Sequence, residues 1–367
     1  MWTDLDIYRS KKPVTKTNWV LDTCCGIHPV FYALDKKEFI VSNSATKIIR
    51  HLGGFEENIK LKFVGGNYPA TDDTHDIRVK RLKPLYDIND LRKGVQWLNP
   101  LPEHLKHMNL PWVLGKDYFI KKQSKMITEW INWMECWHPN AKHIIMIGGK
   151  DSLIALLVKK KKPENWIAFS GYPNATLVSE FIQENNIEIE LIIDDGQDQE
   201  NEEFMREKIM ATDGLTNPAH MRYFEHCRCI VEEYGDVVFW LGTWGDALNA
   251  NTVWKKDYVK DVDAFWNFFY TRGARWQGAY HQMFMTLLGV PCYSIYHSPD
   301  MWKHLWMRYD TSLVRHHDLR DKLAEKIWGK LPIWPRENPG PSQYKKQNIS
   351  FDKIKQIYIE GLHGTNN

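Results

Sequence analysis

The stretch His143-Ile-Ile-Met-Ile-Gly-Gly-Lys-Asp-Ser152, followed directly by Leu153-Ile-Ala-Leu-Leu-Val158, is the most informative part of the chain. An apolar run meets two glycines, an acid and a hydroxyl before a second apolar run begins. This pattern predicts a buried parallel strand, a tight turn and a helix that begins at the turn. Free backbone N–H groups and the positive end of the helix dipole make such a turn suited to phosphate.

Asp151 in this turn indicates a divalent metal, because Mg2+ prefers carboxylate and phosphate oxygens. The turn is therefore predicted to bind a nucleoside triphosphate with Mg2+. It lacks the glycine spacing of a Walker loop, G-x-x-x-x-G-K-[ST], and of the dinucleotide fingerprint G-x-G-x-x-G. Because G-G-x-D-S is a short motif, an ordinary β–α turn with an acid in the first turn of the helix is the alternative.

The composition is that of a soluble protein large enough for two domains. The chain has 367 residues, of which 43% are hydrophobic and 26% are charged. A formal net charge of +2 does not indicate nucleic acid as a partner, although it does not exclude one. No apolar run approaches the roughly 18 residues of a membrane span, and no secretory signal peptide is expected. Six cysteines over this length do not form a disulfide framework, so a cytoplasmic location is predicted.

Cys227 and Cys229 lie near His220 and His226, which makes a metal site one interpretation of this segment. The C-x-C spacing has no second pair, and the four-residue sequence His-Cys-Arg-Cys falls in a helical pattern. A helix without a metal is the interpretation that the pattern favours.

The apolar pattern predicts an α/β fold built from three parts. Residues 1–120 contain short apolar runs broken by Asp, Gly and Asn, which indicates a smaller β-rich domain. Residues 121–345 alternate strand and helix patterns, which indicates a parallel sheet with helices on both faces, and the chain after residue 249 is expected to be mostly helical. Residues 346–367 are predicted to be a C-terminal helix, from Phe351 to Leu362, and a polar tail.

An amphipathic helix from Ser124 to Trp137 is predicted to lead into the parallel sheet. The strands of that sheet are predicted at His143–Ile147, Trp166–Ser170, Glu188–Ile193 and Val237–Leu241. Ligands of such sheets bind at the carboxyl ends of the strands. Asp194 and Asp195 follow the third strand at this edge, where either a binding role or simple solvation of a loop is expected.

The turn Ile147-Gly-Gly-Lys-Asp-Ser152 resembles the S-G-G-x-D-S loop of the PP-loop ATP pyrophosphatases, which split ATP into AMP and pyrophosphate. The segment Leu241-Gly-Thr-Trp-Gly-Asp-Ala247, at the end of the fourth strand, resembles the S-G-E-G-x-D-E segment of asparagine synthetases. Further segments follow the order of that family's C-terminal landmarks: Arg272-Gly-Ala-Arg275, Gly289-Val-Pro-Cys-Tyr293, His316-His-Asp-Leu-Arg-Asp321 and Lys330-Leu-Pro332. The resemblance covers residues 125–340, and the lasso-peptide cyclases and β-lactam synthetases are relatives within the same family.

The resemblance implies an adenine nucleotide alpha hydrolase-like domain that binds ATP and Mg2+. The residues that it implies for contact with ATP are Ile147, Gly148, Gly149, Lys150, Asp151, Ser152, Ser170, Gly171 and Gly242. It implies Asp151 and Asp246 as ligands of Mg2+ around the pyrophosphate. Asp151, Asp246, His316 and Arg320 are the catalytic residues that it implies.

The segments Phe31–Ser44 and Lys47–Leu52 are similar to a strand pair and helix of the glutaminase domain that precedes the synthetase domain in this family. That domain uses a cysteine at the processed N-terminus as its nucleophile. Residue 2 is a tryptophan here, and the internal Cys24 and Cys25 lack the free α-amine that this chemistry needs. The resemblance therefore implies a truncated, inactive glutaminase-like scaffold.

Three departures from the family bear on function. Thr243 and Ala247 replace two glutamates, and His316 stands where a lysine that stabilises pyrophosphate is expected. The favoured hypothesis is a ligase that adenylates a substrate, with a carboxylate as the expected group, and then forms an amide with ammonia or a substrate amine. The alternatives are a catalytically degenerate module that binds a nucleotide or a partner, and a PP-loop enzyme that modifies a nucleobase. The acceptor, the amine donor and the oligomeric state are left open.

Overall fold

The computed structural model describes residues 8–10, 29–35, 38–64, 68–82, 86–90, 94–97, 110–194, 202–218, 223–243, 245, 278–296, 319–335 and 349–364. The apolar run Trp19–Leu21 and the predicted site residues Asp246 and His316 lie outside these ranges, as does Asp195.

The described residues of the N-terminal part form short antiparallel strands and one helix, α1 (Ala45–His51). The described strands are β1 (Tyr8–Ser10), β2 (Phe31–Asp35), β3 (Glu38–Ser42), β4 (Phe63–Val64), β5 (Tyr68–Pro69), β6 (Lys80–Arg81), β7 (Tyr86–Asp90) and β8 (Gly94–Trp97). A four-stranded sheet has the order β1-β3-β2-β6, while β4-β5 and β7-β8 form separate pairs. Within the described residues, the expected antiparallel strands are confirmed, as is the strand pair followed by a helix.

Five parallel strands form the main sheet, as the alternation of strand and helix patterns predicts. They are β9 (Lys142–Met146), β10 (Trp166–Gly171), β11 (Glu190–Asp194), β12 (Val237–Leu241) and β13 (Cys292–Ser294). Every residue of β10 is buried, which fits a parallel sheet covered on both faces. Ile144 of β9 pairs with Ile167 on one side and with Phe239 on the other.

Helices cover both faces of this sheet. In the described chain they are α2 (Leu110–Trp137), α3 (Lys150–Leu157), α4 (Asn174–Glu184), α5 (Glu202–Ala211), α6 (Phe224–Tyr234), α7 (Gly278–Leu288), α8 (Leu319–Trp328) and α9 (Phe351–His363). Side chains alternate between the faces along a strand. Trp240 accordingly packs with residues of α2, α3 and α8, whereas its neighbour Phe239 packs with residues of α6 and α7. The mixed α/β architecture is thereby confirmed.

Two element predictions need correction. The helix expected from Ser124 begins at Leu110, and the chain after residue 249, expected to be mostly helical, also contributes the strand β13. This edge strand has only three residues and follows Pro291, so no period of apolar residues indicates it. Its pairing with β12, Phe239 opposite Cys292, is what makes it a strand.

The strand order β11-β10-β9-β12-β13 reverses between β9 and β12, although all five strands run parallel. The chain adds β10 and β11 on one side of β9 and then returns to add β12 and β13 on the other side. A sheet of this kind opens a crevice at the carboxyl ends of the two strands where the order reverses, and ligands bind there. The turn after β9 and the residues after β12 therefore border the same crevice.

The N-terminal sheet shares a hydrophobic core with the main domain and with the C-terminal helix. This core, called the junction below, contains Phe31, Ile48, Ile209, Ile354 and Tyr358, each at most 2% exposed. Helix α9 thus packs against the N-terminal sheet. No helix within the described ranges is both long enough and apolar enough to cross a membrane.

A buried carboxylate reinforces the junction. One oxygen of Asp213, Oδ1, accepts hydrogen bonds from Ser44 Oγ at 2.7 Å and from the backbone N–H of Thr46 at 2.8 Å. The other oxygen, Oδ2, accepts from Gln282 Nε2 at 2.8 Å. Asp213 thereby caps the first turn of α1, whose own N-cap residue, Ser44, makes no side-chain cap.

Candidate functional site

The turn between β9 and α3 is closed by its own serine. Ser152 Oγ donates to the carbonyl of Gly149 at 2.9 Å and accepts from the N–H of Gly148 at 3.2 Å. The backbone N–H of Leu153 also donates to the carbonyl of Gly149, at 3.3 Å. The described contacts of the Ser152 hydroxyl therefore hold the turn in shape. The first N–H groups of a helix have no acceptor one turn earlier within the helix, so the start of α3 carries a partial positive charge.

Gly148 and Gly149 border open space. A Cβ atom built on either glycine meets no heavy atom within 4 Å. Gly149 has extended backbone with φ 171°, which any residue adopts, and Gly148 is not in the left-handed region either. Neither packing nor backbone strain within the described chain therefore requires glycine at these two positions.

The residues after β12 form the opposite wall and lie against the start of α3. A Cβ on Gly242 would lie 2.7 Å from the backbone nitrogen of Ser152, and a Cβ on Gly245 would lie 2.6 Å from Cγ of Asp151. Real Cβ atoms do not approach so closely, so these two glycines are needed for packing. The two walls of the crevice are consequently held in a fixed relation at its floor.

Asp151 and Arg320, both predicted from the resemblance, lie in contact. Arg320 Nε of α8 donates to Asp151 Oδ1 at 3.1 Å, and the two side chains are 20% and 17% exposed. The backbone carbonyl of Asp151 accepts from Tyr296 OH at 2.9 Å. The start of α3 is thus tied to α8 and to the residues after β13, and a guanidinium stands beside the turn.

The end of β10 positions the turn from the other side. Ser170 Oγ donates to the carbonyl of Ile147 at 2.8 Å, and the N–H of Ile147 donates to the carbonyl of Phe169 at 2.8 Å. Asn174 Nδ2, which the sequence does not point to, donates to the carbonyl of Gly148 at 3.0 Å. The contacts of Ser170 are with the backbone of the turn, so its role among the described residues is to hold that turn.

Gly171 makes room for an aromatic ring. A Cβ at this position would overlap the ring of Tyr223, whose hydroxyl donates to the carbonyl of Tyr172 at 2.9 Å. Beyond it, His226 Nδ1 lies 3.6 Å from Oδ2 of the buried Asp194. The carboxyl ends of β10 and β11 therefore carry aromatic and polar side chains together.

Thr243 contacts a buried histidine that sequence reasoning missed. Thr243 Oγ1 lies 3.0 Å from His281 Nε2, and His281 Nδ1 lies 3.0 Å from the carbonyl oxygen of Cys292. Burial lowers the pKa of His281 to about 4, although the hydrogen bond to Cys292 raises it. His281 is therefore neutral near pH 7. The histidine stands in an apolar helix, so no local pattern marks it.

Of the two Mg2+ ligands predicted from the sequence, the structure describes Asp151 alone. No group of three or more potential metal ligands occurs among the residues that the structure describes. Mg2+ needs fewer, since one or two carboxylates with phosphate oxygens and water suffice. Asp151 lies at the turn, while Asp246 and His316 lie outside the described residues. Cys227 is buried and Cys229 is exposed on helix α6, so these two thiols do not face one site.

Neither the models of known protein families nor a search of curated proteins gave a match to this chain. The residues of the crevice and the motifs that they carry are therefore the basis for the function proposed below.

Proposed function

We propose that the protein is an ATP-dependent ligase that adenylates a substrate carboxylate, releases pyrophosphate and then forms an amide with ammonia or a substrate amine. The observation that carries this proposal is the open space in front of Gly148 and Gly149, at the point where the strand order reverses. Glycine is needed where a ligand approaches the backbone closely. A ligand that lies against the backbone would account for these glycines, since no described protein atom does.

The charge around the turn favours a phosphate as that ligand. The N-terminal end of α3 attracts anions through its N–H groups and dipole. Arg320 is oriented by Asp151, and its remaining guanidinium nitrogens are donors of the type that binds phosphate in pairs. Lys150, the first residue of α3, adds a second cation at the same turn.

The residues fit Mg2+ bound together with the phosphates. Asp151 and, on the resemblance, Asp246 would hold it. When bound, Mg2+ would neutralise charge on the phosphate oxygens. Within this proposal the main sheet is of the PP-loop, adenine nucleotide alpha hydrolase-like type. The N-terminal sheet is then a glutaminase-like scaffold without a nucleophile, and the cytoplasm is the proposed location.

In the proposed reaction the chain binds and orients the reactants. A carboxylate oxygen of the substrate attacks the α-phosphorus of ATP, and the bond from that phosphorus to the bridging oxygen of pyrophosphate breaks. An amine nitrogen then attacks the acyl carbon, loses a proton, and displaces AMP. The N–H groups of the turn and the Arg320 guanidinium stabilise charge on the phosphates, and fixed donors of this kind give most of the acceleration in such sites.

A nucleotide-binding module without turnover is the second candidate function. The observation that favours it is the side chain of Thr243, which replaces a carboxylate of the family and is hydrogen-bonded to His281. The Asp151 carboxylate is also in contact with a protein cation, Arg320, at 3.1 Å. These contacts are compatible with a site that holds a nucleotide and transfers nothing.

ATP–pyrophosphate exchange separates the two candidates. Radiolabelled pyrophosphate would be supplied with Mg-ATP and each of the amino acids and common dicarboxylic acids in turn. The ligase should support exchange with at least one acid. Asp246→Ala should reduce that exchange by about 100-fold while ATP binding weakens far less, since the lost interaction is strongest in the transition state.

Asp352→Ala is the matched control for this experiment. Asp352 is an exposed acid in the first turn of α9, as Asp151 is an acid in the first turn of α3, and it lies away from the crevice. Its loss should leave exchange unchanged. Exchange that persists undiminished in Asp246→Ala would remove this residue from the site, and ATP binding without exchange for any acid would favour the module.

A further inference from the structure

Thr243 is held rigidly at the carboxyl end of β12. Its backbone carbonyl accepts a hydrogen bond from Ser294 Oγ at 2.6 Å, and Ser294 in turn accepts from the N–H of Tyr296 at 3.1 Å. Its neighbour Gly242 packs against the backbone of Ser152. Thr243 therefore stands next to the turn and the start of α3, and the residue is partly exposed.

The direction of the hydrogen bond between Thr243 and His281 follows from the partners of the imidazole. The carbonyl oxygen of Cys292 has no proton to give, so His281 Nδ1 is the donor in the 3.0 Å contact between them. The ring is neutral, because burial lowers its pKa to about 4, and a neutral imidazole has one N–H only. His281 Nε2 is therefore an acceptor, and the hydroxyl proton of Thr243 points to it at 3.0 Å.

This arrangement removes the usual ambiguity of a hydroxyl group. A threonine hydroxyl ordinarily rotates to donate or to accept, according to its partner. With its one proton directed at His281, Thr243 Oγ1 offers only its remaining electron pairs to a ligand. A carboxylate or phosphate oxygen, which needs a donor, is repelled at this point, whereas an N–H group is accepted.

We propose that Thr243 is the specificity-determining acceptor for the amine substrate, and that His281 is the positioning residue that fixes its polarity. The identification of the ligand as an amine rests on the proposed function, in which an amine is the second substrate. The ligand class is ammonia or a primary amine, bound through N–H donation to Thr243 Oγ1. A glutamate is then unnecessary at this position, because the hydroxyl already acts as a fixed acceptor.

Saturation-transfer NMR on the full chain tests this with methylammonium as the probe and tetramethylammonium, which has no N–H, as the matched control ligand. The parent protein should show saturable transfer to methylammonium and little to tetramethylammonium. Thr243→Val, which keeps the shape and removes the hydroxyl, should lower the affinity for methylammonium by about fivefold, the scale of one hydrogen bond. Thr243→Ser should retain it. Equal affinity in parent and Thr243→Val would overturn the proposal.

A second measurement decides the role of His281 without any ligand. Histidine labelled with 15N should show His281 protonated at Nδ1 and bare at Nε2, and the Nε2 resonance should move in Thr243→Val as its donor is lost. A proton at Nε2 would make the hydroxyl an acceptor from His281 and would refute the assignment.

ATP–pyrophosphate exchange by the parent protein tests the ligase separately from the amine site. If methylammonium binding depends on Thr243 but no exchange occurs, the ligase is rejected and the amine site is kept. If exchange occurs but methylammonium binding does not depend on Thr243, the ligase is kept and the amine site is rejected.

Discussion

Asp213 at the junction and Asp151 at the turn are two carboxylates in opposite settings. Both oxygens of Asp213 accept hydrogen bonds from the chain itself, and its side chain is 1% exposed. Asp151 contacts Arg320 at the edge of open space and is partly exposed. Burial raises the pKa of Asp213, even though the hydrogen bonds from Thr46, Ser44 and Gln282 lower it.

The comparison shows how to tell a structural polar group from a functional one. A buried carboxylate whose hydrogen-bonding capacity is met within the chain specifies how two parts of the molecule pack. A carboxylate that orients a cation beside open space is, in the proposed function, part of a ligand-binding site. Mutating each setting in turn tests whether the distinction holds.

Lowering the pH should have the largest effect on the free energy of unfolding. Burial lowers the pKa values of His75, His143 and His281 to about 4, from an ordinary value of 6.5. The unfolded chain therefore binds more protons between these values, and stability present above pH 6.5 is lost as the pH falls toward 4. Each histidine should cost about 1 kcal/mol per pH unit in this window. Urea unfolding at several pH values measures the slope.

His143→Gln should reduce that slope, and His51→Gln, at an exposed position, should not. Asp213 acts in the opposite sense, because a raised pKa in the native state favours folding at low pH and loses this contribution as the pH rises. An equal slope in the parent protein and in His143→Gln would show that His143 is not buried as a neutral group.

Removing Asp213 should have the next largest effect. Asp213→Ala leaves Thr46 N–H, Ser44 Oγ and Gln282 Nε2 without their buried acceptor, which should cost about 3 kcal/mol of the free energy of unfolding. Asp151→Ala removes a partly buried ion pair at the edge of the crevice and should cost about 1 kcal/mol, because the Arg320 guanidinium that remains still reaches solvent. Chemical denaturation of both variants checks this, and equal losses would contradict the proposed division between structural and functional carboxylates.

Substituting the glycines of the two walls should change stability less, and should separate an effect on stability from an effect on ATP binding. Gly242→Ala places a Cβ 2.7 Å from the backbone nitrogen of Ser152, so overpacking should cost about 2 kcal/mol. Gly148→Ala meets open space and should change stability by less than ~1 kcal/mol while weakening ATP binding. Unfolding curves and nucleotide titration on the same two samples separate the effects. Unchanged ATP binding by Gly148→Ala would mean that the open space is not the nucleotide site.

The smallest expected effect is stabilisation by nucleotide. Mg-ATP at ten times its Kd should raise the free energy of unfolding by about 1.4 kcal/mol, because it binds only the native state. Asp151→Asn should weaken this stabilisation, as the neutral amide neither orients Arg320 nor binds Mg2+ well. Thermal melting with and without Mg-ATP measures it. The same shift in parent and variant would exclude Asp151 from the nucleotide site.

The sequence predicts best what is local and repetitive. Val237–Leu241 is a continuous apolar run with no competing pattern, and its predicted bounds are those of β12. The turn after β9 carries its own signals, two glycines and a first-turn acid, and forms where they place it. The site roles assigned there stay predictions, although the structure brings Asp151 and Arg320 together.

What the sequence misses depends on distant partners. The strand Cys292–Ser294 exists because β12 offers it hydrogen bonds, and His281 matters only because α7 places it beneath Thr243. Asn174 likewise reaches Gly148 from the start of α4. These contacts join residues that are distant in sequence, so the periodicity of nearby residues does not predict them.

The junction also has a consequence for synthesis. Thr46 Oγ1 and Tyr358 OH are hydrogen-bonded at 2.9 Å although 312 residues separate them along the chain. The N-terminal sheet is synthesised long before helix α9. The core around Phe31 and Ile48 is therefore incomplete until Ile354 and Tyr358 have been synthesised. We expect the nascent chain to expose this apolar face throughout translation, which makes it a substrate for chaperones until the last helix emerges.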